Sequence, residues 1–113
     1  MKATSLQSLA GCSCAQARGA AAIDPEGVRE LLALLPGWAR EGDEIVKTYA
    51  LANYHETLAF VNAIAWIAHR QDHHPDLSVH YNRCRVAFST HAVRGLTEND
   101  FICAAKVETL WAA

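Results

Sequence analysis

The sequence predicts an α+β fold: a four-stranded antiparallel sheet with helices packed on one face, in the order helix, two strands, helix, two strands, helix. Three observations predict it. The stretches Trp38 to Tyr49 and Leu77 to Thr90 alternate apolar and polar residues around short turns, the pattern of half-buried hairpins. A long segment from Tyr54 to about His73 repeats its apolar residues at helical spacing. Helix-start signals stand at Asp24-Pro25-Glu26 and at Thr97-Glu98-Asn99-Asp100. With 113 residues, 51% of them hydrophobic and 19% charged, the chain suits one domain with its own core.

Each element has a local reason. Asp24 is a capping residue and Pro25 suits the first helical position, where no N–H is needed. Val28, Leu31, Leu32 and Leu35 then form one apolar face, and Pro36-Gly37 ends the helix. Trp38-Ala39-Arg40 and Ile45-Val46-Lys47-Thr48-Tyr49 make a hairpin about a turn at Gly42-Asp43. Asn53 caps the long helix, with Glu56 three residues on as its box partner. The inner stripe of that helix is Leu58, Val61, Ile64, Ala65 and Ala68, widened by Phe60 and Ile67. Pro75 closes it and pushes His74 into extended backbone, so His73 falls at the helix C-terminal end. A second hairpin turns at Asn82-Arg83, because Asn tolerates the left-handed region. Beyond that turn Cys84, Val86 and Phe88 face the core, while Arg85, Ala87 and Ser89 form a polar face. Gly95 breaks the chain, and a last helix follows with Phe101, Ala104, Ala105 and Trp111 on its inner side.

Residues 1–22 are rich in Ala, Ser and Gly and are expected to form a flexible lead-in to a single domain over residues 23–113. Leu9-Ala10-Gly11-Cys12 looks like a lipoprotein cleavage box. Only Lys2 precedes it, however, and Thr4, Ser5, Gln7 and Ser8 interrupt the apolar run a signal needs. The expectation is a cytoplasmic protein. A net charge of −2 argues against binding nucleic acid or a membrane surface by bulk charge. No apolar run is long enough to span a bilayer. Cys12 and Cys14 are too close together to chelate a metal alone, and Cys84 and Cys103 are isolated in sequence. No role is expected for any of the four.

Histidine is the unusual component. There are six, four of them between His69 and His91. His69 and His73 are neighbours on one helix face. His74 follows, and His91 lies just past a hairpin that leaves the same corner. His55 and His80 have no convergent context. Three readings are open. His-His-Pro is a helix stop without chemistry; or two His at i, i+4 plus a third hold Zn²⁺; or several imidazoles supply metal-free acid–base groups near neutral pH. Against zinc, no Glu lies between the His pair as in zinc-protease helices, and His73 and His74 must point in different directions.

The pattern His69-x3-His73-His74-Pro75-x5-Tyr81-x9-His91-x8-Asp100 resembles the signature of the pterin-4a-carbinolamine dehydratase family. Ser89-Thr90-His91, Gly95-Leu96-Thr97, Asn99-Asp100-Phe101 and the helix beginning at Tyr54 extend the likeness over roughly Pro36 to Trp111. The resemblance implies dehydration of 4a-hydroxytetrahydropterin to quinonoid dihydropterin, with release of water and without a metal or organic cofactor. Such an enzyme recycles the pterin of aromatic amino-acid hydroxylases such as phenylalanine hydroxylase. By resemblance His73, His74 and His91 are the catalytic histidines. His73 is expected to be the general acid, because the negative end of a helix dipole favours imidazolium. Asp72, Ser89 and Thr90 join the three histidines as pterin contacts, and His69 and Asp100 support them. Asp100 has two open roles, as a catalytic partner or as a helix cap. Many members carry Glu at the position of His69 and Trp at that of Leu77. His69 can still hydrogen-bond His73, but orients it less well than a carboxylate. The likeness also implies a homodimer or homotetramer, with no direct nucleic-acid or membrane partner. An alternative is a non-catalytic binding module, since animal members also serve as dimerisation cofactors of a homeodomain transcription factor.

Overall fold

The computed structural model describes residues 3–14 and 21–112. The elements run α1 (Leu6–Ala10), α2 (Pro25–Leu32), β1 (Ala39–Glu41), β2 (Glu44–Ala50), α3 (Tyr54–Gln71), β3 (Asp76–Val79), β4 (Arg83–Phe88), a 3₁₀ turn (His91–Val93) and α4 (Glu98–Ala112). The four strands form one antiparallel sheet in the order β1-β2-β4-β3. α3 and α4 pack together and against the sheet. The α+β architecture is the one the sequence predicts.

α2 begins as expected: the Asp24 side chain accepts the Gly27 N–H, and Pro25 opens the first turn. It ends at Leu32, short of Leu35, and its last residues tighten into i→i+3 bonds from Leu34 to Leu31 and Leu35 to Leu32. Val28 and Leu35 are buried. Gly37, at φ +81°, then turns the chain into β1.

The sheet's inner face carries Ile45, Lys47 and Tyr49 from β2, paired with Phe88, Val86 and Cys84 of β4. Lys47 therefore points inward at a position the strand pattern assigns to the core. Its ammonium meets Glu108 of α4 at 2.7 Å and the Pro36 carbonyl at 2.8 Å. Glu108 also accepts from Trp38 Nε1 at 3.2 Å and from the Tyr49 hydroxyl. A buried carboxylate survives only with such partners. Burial, followed by the Glu108 hydrogen bond and charge, pushes the Tyr49 phenol far up. On the outer face Ala87 is buried rather than part of a polar surface.

α3 departs from the expected stripe. Its buried residues are Thr57, Phe60, Ile64 and Ala68, while Leu58 and Ala65 are exposed. The helix is rotated because Thr57 has partners inside: its hydroxyl lies 2.9 Å from the Asn53 carbonyl and 3.0 Å from the Tyr81 carbonyl. Tyr81 belongs to the β3–β4 turn. That turn centres on Tyr81-Asn82, one residue earlier than expected, closed by the His80 N–H on the Arg83 carbonyl at 2.9 Å. Asn82 does not enter the left-handed region. Its carbonyl accepts the Leu51 N–H instead.

The lead-in departs too. Ser5 and Ser8 cap α1 reciprocally. Leu9 is buried with the core cluster, and Lys106 of α4 donates to the Ala10 carbonyl at 2.7 Å. Residues 3–14 therefore include a short helix that packs against α4. Residues 15–20 of the expected lead-in lie outside the described ones. α4 is enclosed by α1, α3 and the sheet, and its run from Phe101 to Ala105 is buried on every side. Trp111, expected inside, is partly exposed but meets the rings of Tyr49 and Phe60. No helix among the described residues is long and apolar enough to cross a membrane.

Candidate active site

α3 ends on Asp72, which adopts the left-handed conformation at φ 51°, ψ 43°. Its N–H and that of His73 return to the last turn, to the Ala68 and His69 carbonyls. This closure satisfies the orphan carbonyls of the helix end. It also takes His73 out of the helical path. Pro75 follows, and the chain passes directly into β3.

On the facing side, β4 ends at Phe88. Thr90 pairs with Gly95 across a small loop, its N–H on the Gly95 carbonyl at 2.9 Å. The loop contains the 3₁₀ turn beginning at His91 and is closed by Arg94 in the left-handed region. The two corners enclose an open cleft of about 210 Å³ lined by Asp72, His73, His74, Ser89, Thr90, His91 and Ala92. Six of these are the residues singled out from the sequence as catalytic or substrate-binding; Ala92 is added.

His73 is the buried member, at 7% exposure, whereas His74 and His91 are exposed on the cleft wall. Its Nε2 lies 2.6 Å from Asp100 Oδ1. Asp100, at the start of α4, is fully buried. Its other oxygen, Oδ2, accepts from the Thr90 hydroxyl at 2.8 Å and the Thr97 N–H at 2.9 Å. Thr97 Oγ1 completes the chain, 2.9 Å from Thr90 Oγ1. A carboxylate already accepting two donors has only acceptor capacity for a third, so Nε2 carries the proton and donates it. Nδ1 remains as the second titrating position of the ring. Phe88 lies parallel to the imidazole, with ring centroids 6.0 Å apart, and fixes its plane.

This wiring favours the protonated form of His73. Burial disfavours imidazolium, but the Asp100 hydrogen bond and charge outweigh it, with help from Cys14 and Asp72, and the pKa rises above the ordinary value. Asp100 thus accepts the Thr97 N–H at the start of α4, as a cap does, and holds His73 with its other oxygen.

His69 sits elsewhere. It is exposed, its ring lies 6.3 Å from that of Trp66, and no hydrogen bond joins it to His73 among the described residues. The expected i, i+4 contact needs a continuous helix through residue 73. The left-handed Asp72 removes that continuity. His80 pairs with Ser78 Oγ at 3.0 Å near the far hairpin turn, and His55 is exposed on the first turn of α3. Among the described residues no three His, Cys, Asp or Glu side chains are grouped so as to hold a metal ion.

Sequence reasoning missed the threonine pair. Thr90 and Thr97 together hold Asp100, and the only sequence signal for this was the cap motif around Thr97. It also treated Cys14 and Cys103 as unrelated, yet their sulfurs lie 3.5 Å apart beneath the cleft.

The chain resembles known proteins along most of its length. A protein of Chromobacterium violaceum that carries a pterin-4-alpha-carbinolamine dehydratase name is 59% identical over 88% of this chain and 92% of its own. One of Nitrosospira multiformis with the same name is 49% identical over 96% of each. A crystal structure titled transcriptional coactivator/pterin dehydratase, from Brucella melitensis, superposes with a TM-score of 0.77 at 27% identity, covering 80% of this chain and 98% of that one. A RuBisCO assembly factor of the alpha-carboxysome shares the fold at TM-score 0.55 and 22% identity, over 65% of this chain and 84% of its own. The profile of pterin 4 alpha carbinolamine dehydratase matches residues 21–110, and the chain accordingly belongs to that family of hydro-lyases.

Proposed function

We propose that this protein dehydrates a 4a-hydroxytetrahydropterin to the quinonoid dihydropterin and water, with His73, His74 and His91 as its acid–base groups. The observation that carries this reading is the cleft. Six residues that the family resemblance assigns to catalysis and pterin binding line one cavity, and the buried histidine among them, His73, is tied to Asp100. A fold shared with an assembly factor does not by itself imply this activity; what supports the reading is the set of side chains in the cleft.

The reaction needs a proton delivered to the departing 4a-hydroxyl and a proton removed from a ring nitrogen. His73, whose protonated form Asp100 favours against burial, supplies the first from its buried side of the cleft. His74 and His91, on the open wall, are the candidates for the second. Asp72, Ser89 and Thr90 contact the pterin edge. The reaction returns pterin to aromatic amino-acid hydroxylases and needs no metal or organic cofactor. A homodimer or homotetramer belongs to the same reading, supported by the sheet's two outer strands, β1 and β3, whose free edges are open to pairing.

The test generates the carbinolamine with a hydroxylase and follows its decay with and without the protein. Acceleration is expected, with His73→Ala lowering kcat about 10²- to 10⁴-fold. A folded protein that leaves the decay unchanged overturns the enzyme and favours a binding module. If His73→Ala raises KM alone, His73 is not the acid.

A further inference from the structure

Beneath the cleft, the amino-terminal segment meets the two helix ends that carry the site. The Cys14 N–H donates to Oε1 of Gln71, the last residue of α3, at 2.8 Å. Its sulfur lies 3.7 Å from the carbonyl of Asn99, beside Asp100, and 3.5 Å from Cys103 Sγ of α4. Both cysteines are thiols. Cys14 is partly exposed and Cys103 fully buried.

We propose that Cys14 and Cys103 form a redox-modifiable dithiol, closed to a disulfide by hydrogen peroxide, that tethers the amino-terminal segment to α4. Closing the pair from 3.5 Å requires roughly 1.5 Å of approach, from a partly exposed residue at the end of the described amino-terminal segment. The two thiols are not equivalent. The Cys103 hydrogen bond lowers the Cys14 pKa despite burial, assisted by the charges of His73 and Lys106. That bond and burial push Cys103 up. Cys14 is therefore the nucleophile and Cys103 the resolving thiol.

In the first step the Cys14 thiolate attacks the peroxide O–O bond, forming a sulfenic acid and releasing hydroxide, which a proton converts to water. The Cys103 sulfur then displaces the sulfenic oxygen, which leaves as water with the Cys103 proton. Two thiols lose two electrons and two protons, and one peroxide becomes two waters.

The experiment treats the folded protein with hydrogen peroxide, alkylates remaining thiols, and maps peptides without reduction. Cys14 and Cys103 are expected in one cross-linked pair, reversed by dithiothreitol, with a higher Tm for the oxidised form because a long loop is closed. Cys14→Ser is expected to abolish both effects, and Cys12→Ser to leave them. Its place on the amino-terminal segment makes Cys14→Ser a mild change where Cys103→Ser risks the core. Recovery of Cys14 as sulfinic or sulfonic acid without a link, or linked to Cys12, overturns the proposal. A Cys14–Cys103 link that leaves Tm unchanged overturns the tether.

Discussion

His73 is held at three points: its backbone closes α3, its ring stacks on Phe88, and its Nε2 donates to Asp100. Burial lowers the His73 pKa and Asp100 raises it by more, and that net rise is also a statement about stability. An unfolded imidazole titrates near pH ~6.5, and the folded value lies above it. The stabilisation is fully present below the unfolded value and is lost as pH rises through the folded one. Tm followed against pH should therefore show a fall over that window in the wild type which is missing in His73→Asn. Parallel curves would show that His73 is not the group responsible. Asp100→Asn tests the same wiring from the other side. It keeps a carbonyl acceptor and removes the charge, so the His73 titration followed by NMR should move to lower pH. A kcat loss of about 10-fold or more should accompany it, with little change in KM. A substitution that acts only on folding would leave the His73 titration in place.

Among the elements, α3 shows most clearly how tertiary contacts correct a helical pattern. Its apolar spacing announces the helix, and Asn53 and Pro75 bound it. The rotation about its axis is not set by hydrophobicity, because Leu58 is exposed while Thr57 is wholly buried. Thr57 ties the first turn of α3 to the Tyr81 carbonyl in the β3–β4 turn, and Tyr54 stacks against Tyr81 at 6.4 Å. Thr57→Val keeps the shape and removes the hydroxyl, leaving the Tyr81 carbonyl without that partner. A cost of about 1–2 kcal/mol is expected in chemical denaturation. An unchanged denaturation midpoint would mean that packing alone positions α3. The hairpin turn falls one residue earlier than its Asn predicts, because the sheet register pairs Val79 with Cys84 and leaves Tyr81-Asn82 to bridge them.

Across the whole molecule, polar groups far apart in sequence meet in the interior. Glu108 on α4 gathers Trp38, Lys47 and Tyr49 from the first hairpin and its lead-in. It thereby fixes α4 against β2 at the end of the sheet. Glu108→Ala leaves the inward Lys47 and two buried donors without their acceptor, and should destabilise the protein by about 3–5 kcal/mol. Equilibrium unfolding checks this; a loss under about 1 kcal/mol would mean that Lys47 escapes to solvent and the network carries little. The same long-range assembly brings Cys14 to Cys103 and Asp100 to His73.

The sequence by itself determined the α+β architecture, the caps at Asp24 and Asn53, and the six residues that line the cleft. The architecture and the caps are written in short spacings, a cap beside its helix and alternation along a strand, whereas the six cleft residues came from the family resemblance carried by His-His-Pro and Ser89-Thr90-His91. Only the tertiary structure decided that His69 stands apart, because one left-handed residue, Asp72, turns the chain between it and His73. It alone decided that Thr90 and Thr97 grip the carboxylate of Asp100, that Lys47 faces inward onto Glu108, and that part of the amino-terminal lead-in joins the core. The physical reason is common to all of them. A local pattern constrains the backbone over one or two turns, whereas a buried charge, hydroxyl or thiol takes its partner from whichever element the packed fold brings within hydrogen-bond reach.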